Sequence, residues 1–154
     1  MKINLILLSP ERKNIEWNLG ELYSVPPTVQ DVSKCVSENI PKTNADAWLF
    51  WDSELAAPPI DLLQKLLETK NDVWHAGLKL GMGGQPDFIN FVAPTWMLNR
   101  DPDACIEATS WRLSLKACLV RSEVLQQLGG PLSIFRTLDA AALELGWRYI
   151  RNGV

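Results

Sequence analysis

The sequence predicts an α/β domain of three layers, α/β/α, with a mostly parallel sheet in the middle, and three observations carry that expectation. Three short apolar runs, Ile3–Leu8, Ala47–Trp51 and Ala117–Val120, read as strands buried on both faces and sharing one sheet. Between them lie segments with helical apolar spacing, and strands alternating with helices build a sheet covered on both sides. The 154 residues, 47% apolar and 21% charged, make a single domain over 1–154 that buries its own core without a disulfide or structural metal.

Ile3–Leu8 is followed by Ser9-Pro10, a turn signal, so it is expected as a central strand. From Pro10 to Pro27 the pattern is weak, which gives a loop with at most one short strand. Thr28 is a helix cap, because Val29, Val32, Cys35, Val36 and Ile40 behind it fall on one helical face. Asp46 to Asp52 is a second buried strand whose carboxyl end carries the acidic turn Asp52-Ser53-Glu54. Pro58-Pro59 opens a helix with Leu62, Leu63, Leu66 and Leu67 inward. Val73–Leu78 reads as a strand, Gly81–Pro86 as a flexible loop, and Phe88–Trp96 as an apolar run interrupted by Pro94. Ser114–Val120 is a strand and Ser122–Leu128 a short helix stopped by Gly129-Gly130-Pro131. Leu138–Leu145 is the last helix, ended by Gly146, and Trp147–Ile150 the last strand.

Composition narrows the function. Fifteen basic against 18 acidic residues give a net charge of −3 and no basic stripe, which disfavours nucleic acid. No segment reaches the roughly 20 apolar residues of a membrane span, and the amino-terminal apolar run is too short for a signal peptide. Cys35, Cys105 and Cys118 are far apart and outside any zinc spacing, so they are expected as reduced, buried thiols of a cytoplasmic protein. His75, the one histidine, leaves no room for a histidine-dependent triad apart from itself and reads as a strand-end residue. Gly81-Met82-Gly83-Gly84 is neither a Walker loop nor a dinucleotide fingerprint; it reads as a mobile loop able to cover a site.

The acidic turn is the most informative constellation. Ligands of open α/β sheets bind outside the carboxyl ends of strands, and two carboxylates spaced i, i+2 there can face one ion. Mg²⁺ and Mn²⁺ prefer such oxygens and leave positions open for phosphate, so Asp52 and Glu54 suit a metal-bridged diphosphate. The alternative is a polar strand-to-helix loop with acidic residues favoured at the helix start. Seven tryptophans are many for this length and most are expected in the core. Trp51, beside the acidic turn, and Trp111, beside Arg112, are the ones placed for contact with a sugar face.

Taken in order, the acidic turn before Pro58-Pro59-Ile60-Asp61-Leu62-Leu63, the strand, Arg-x-Glu-Val helix and Gly-Gly turn of Ala117 to Gly130, and Asp139 through Gly146-Trp147-Arg148-Tyr149 resemble the family 2 glycosyltransferases of the GT-A fold. The resemblance spans roughly 46 to 150. It implies a GT-A-like sandwich in which Asp52 and Glu54 hold the divalent metal and the nucleotide diphosphate, and Asp139 stands at the catalytic base of an inverting transfer from a nucleotide-sugar donor to a sugar or other hydroxyl acceptor. Residues 10–45 lack the second strand with Asp-Asp-Gly-Ser that holds the nucleotide in this family, and Leu138 stands where an acidic partner usually precedes the base. These departures describe a shortened or degenerate member, and they frame a rival expectation: a non-catalytic sugar- or protein-binding module. The two differ in whether Asp52, Glu54 and Asp139 share one cleft.

Overall fold

In a computed structural model the structure describes residues 1–11, 13, 15–76 and 109–154. The expectations for Gly81–Pro86, Phe88–Trp96, Cys105 and the end of the Val73–Leu78 strand lie outside the described residues. The chain divides into two compact units, Met1–His75 with Trp111–Val154, and Ala76–Ser110. All elements below belong to the first.

Five strands, β1 (Ile3–Leu8), β2 (Leu22–Val25), β3 (Ala47–Asp52), β4 (Val73–His75) and β5 (Ala117–Arg121), form one sheet in the order β2-β1-β3-β5-β4. The three apolar runs therefore sit side by side in its middle, as expected. β1 pairs parallel with β2 and β3, whereas β5 runs antiparallel to both β3 and β4. The sheet is mixed: among the described strands β5 alone is reversed.

Strand periodicity sorts the core into two layers. Ile3, Leu5, Leu7, Ala47, Leu49 and Leu119 face one side, where Leu63 of α2 (Ile60–Glu68) and the loop residues Ile15, Trp17 and Leu19 cover them. Ile6, Leu8, Trp48, Phe50, Cys118 and Val120 face the other. There α1 (Val29–Asn39), α3 (Ser122–Leu128) and α4 (Leu138–Arg151) cover them. One polar residue lies inside the first run. Asn4, wholly buried, is accommodated because its Oδ1 accepts from the Glu21 N–H at 3.0 Å and its Nδ2 donates to Thr43 Oγ1 at 3.3 Å.

Three expectations are corrected. Leu62 is 50% exposed; α2 turns only Leu63 fully inward, with Leu66 and Leu67 half-buried. β5 begins at Ala117, because the Lys116 N–H goes to Ser114 Oγ at 3.3 Å and Leu115-Lys116 form a turn. The largest correction is at the carboxyl end, where the expected stop at Gly146 and the strand Trp147–Ile150 are one continuous helix, α4. Gly146 is an interior residue whose missing side chain admits a neighbouring segment: a Cβ there would lie 2.2 Å from the Trp111 carbonyl oxygen and 2.8 Å from Leu113 Cβ. Gly146→Ala is accordingly expected to lower stability by about 1–3 kcal/mol, although alanine is the better helix former. The denaturant midpoint checks this, and an unchanged or raised value refutes it.

Burial also sets an alkaline limit. Removal from water pushes the Cys35 thiol up to about 11, and it raises Cys118 and the Tyr149 phenol further still. Each group holds its proton more tightly folded than unfolded, so its contribution is whole below the ordinary thiol range and is lost as pH climbs through the raised values. The melting temperature should stay level from pH 7 to about 8.5 and fall steadily above about 9. A melting temperature still level at about pH 11 refutes this.

Candidate functional site

Where the carboxyl ends of β1 and β3 meet, the register places Leu8 opposite Asp52. From β1 the chain leads to β2 on one side, and from β3 through α2 to β4 on the other. Connections leaving neighbouring strands in opposite directions open a crevice, the position at which open α/β sheets take ligands. A cleft of about 350 Å³ occupies it.

Two helix starts and one turn complete its walls. Pro27, Thr28 and Val29 bring the amino end of α1, and Arg136, Thr137, Leu138 and Asp139 that of α4. Each helix begins there because a threonine caps it. Thr28 Oγ1 accepts from the Asp31 N–H at 3.2 Å and donates to the Asp31 carboxylate at 2.6 Å, and Thr137 Oγ1 accepts from the Ala140 N–H at 3.2 Å. The positive end of the α4 dipole favours the acidic Asp139 in its first turn. Leu115 and Lys116 form the remaining wall. They reach this edge because β5 is reversed: its amino end lies beside the carboxyl end of β3, and the Lys116 carbonyl accepts from the Asp52 N–H at 2.7 Å.

Of the residues singled out in the sequence, Asp52 and Asp139 line this one cleft. Glu54 does not; it is exposed, and its backbone N–H donates to Asp52 Oδ1 at 3.0 Å, an Asx turn that closes the acidic loop on itself. Trp51 packs against the opposite face of the sheet and donates its indole N–H to the Ala56 carbonyl at 2.9 Å. Trp111, 40% exposed, and the half-buried Arg112 stand near α4 and outside the lining. Asp52 thus lines the cleft without Glu54, and among the described residues no group of three or more Asp, Glu, His or Cys side chains gathers.

Sequence reasoning missed Lys116 and Arg136. Lys116 looked like the interior of a strand, and only the reversal of β5 exposes it at the cleft. Arg136, just before the Thr137 cap, had a readable signal in the Thr-x-x-Ala start of α4. Comparison of the chain with models of protein families, with curated proteins and with solved structures finds no match.

Proposed function

We propose that the protein is a glycosyltransferase of the GT-A-like kind, taking a nucleotide-sugar donor and inverting the anomeric centre. The observation that carries this reading is that Asp52 and Asp139, from elements almost ninety residues apart in the chain, line the same cleft at the ligand edge of the sheet. In it Asp139 takes the proton of an acceptor hydroxyl as that oxygen bonds to the anomeric carbon. The bond from that carbon to the donor's phosphate oxygen breaks, and its electron pair leaves with the diphosphate. Asp52, held by its turn, accepts hydrogen bonds from the donor and fixes its position. No step is routed through a metal. The test is release of nucleoside diphosphate from a panel of nucleotide sugars offered with sugar and alcohol acceptors. Acceptor-dependent release supports the reading, whereas silence with every donor favours a binding module.

A further inference from the structure

We propose that the cleft is a metal-independent binding site for a glycosyl phosphate, with Lys116 and Arg136 on the phosphate and the carboxylate of Asp52 on the sugar hydroxyls, Asp139 being left free for the acceptor. Four charged residues, two of each sign, line one cavity, yet none of them joins an ion pair among the described residues. Two cations at one opening form the strong, charge-assisted hydrogen bonds that phosphate oxygens accept, the guanidinium in bidentate fashion. Carboxylates only accept, so they match a ligand that also carries hydroxyl donors. Inorganic phosphate meets the first requirement alone, and a neutral sugar the second alone. A sugar phosphate meets both.

Size and the donor set agree. Ligand pockets run from roughly 300 to 1,000 Å³, and 350 Å³ is at the small end, suited to a sugar with its phosphate and leaving a nucleoside outside. With Lys116 and Arg136 on the lining, the anionic leaving group meets cations of the chain itself. This inference rests on the transferase reading only for the phosphate's part as leaving group; binding itself does not require transfer.

The test is calorimetry on the whole chain in excess chelator with α-D-glucose 1-phosphate, its galactose and N-acetylglucosamine counterparts, inorganic phosphate and free glucose. At least one sugar phosphate should bind about ten-fold or more tighter than either fragment, and Lys116→Ala and Arg136→Gln should each weaken it by about ten-fold or more. Both residues are exposed, so melting curves of the variants should overlay the wild type. Failure of every sugar phosphate to bind, binding that appears only when Mn²⁺ replaces the chelator, inorganic phosphate binding as tightly, or variants that bind like the wild type would each overturn the proposal. Binding without turnover would sink the transferase reading and leave this site standing, and turnover without metal-free binding would do the reverse.

Discussion

Asp139→Asn should reduce acceptor-dependent transfer by about 10²–10⁴-fold, the usual loss when a positioned base is removed. Asparagine keeps the size of the side chain and one oxygen that accepts hydrogen bonds, so donor binding by calorimetry should stay within a few-fold of wild type. The fold should barely notice. Asp139 is exposed in the first turn of α4, where losing a carboxylate costs about 0.3–1 kcal/mol against the helix dipole. The separation of rate from binding is the informative part. A variant that turns over like the wild type removes Asp139 from the chemistry, and one that loses donor binding in step with rate makes it a binding residue instead.

The largest loss of stability is expected at Arg148. Its guanidinium donates to the Leu128 carbonyl and to the Gly130 carbonyl at 2.9 Å, and it is held by the Glu144 carboxylate at 2.7 and 3.0 Å. The Tyr149 hydroxyl donates to the Gly129 carbonyl between them at 2.8 Å. Together they fasten α4 over the carboxyl end of α3, where the last carbonyls of a helix lack partners of their own. Arg148→Ala strands two carbonyls and one carboxylate in a half-buried place, and about 2–4 kcal/mol should be lost by denaturant titration. Arg148→Lys should recover only part of that, because an ammonium cannot span the same carbonyls as a planar fork. A midpoint within about 0.5 kcal/mol of wild type, typical of a surface change, would refute the clamp.

This clamp shows how far the residues alone could be read. The run Gly146-Trp147-Arg148-Tyr149 was visible as a pattern, but its aromatic and β-prone residues resemble a strand, and a glycine after an apolar helix resembles a stop. Both signals are local. The contact that decides between them, the Trp111 backbone and the Leu113 side chain lying against Gly146, comes from a different part of the chain. The central strands and the capped helix α1 were legible because each is announced by its own residues: an uninterrupted apolar run, or a threonine before helical spacing. The cleft was half legible. Asp52 and Asp139 announce themselves at a strand end and a helix start, while the direction of β5, which brings Lys116 to them, depends on pairing that no local pattern encodes. Trp51 looked like a neighbour of the site, but strand alternation turns it to the far face of the sheet from Asp52.

The reversed strand also bears on the order in which the chain can be completed during synthesis. β3 leaves the ribosome with one flank already matched by β1, while its other flank waits for β5, some seventy residues later. β4 emerges in that interval, and among the described strands its neighbour in the sheet is the later β5. Until Ala117–Arg121 arrives, the apolar residues of β3 form an open edge, the kind of surface that attracts other growing chains. A message cut short before that point would therefore yield a sticky product with the cleft half built, lacking Lys116, Arg136 and Asp139 together.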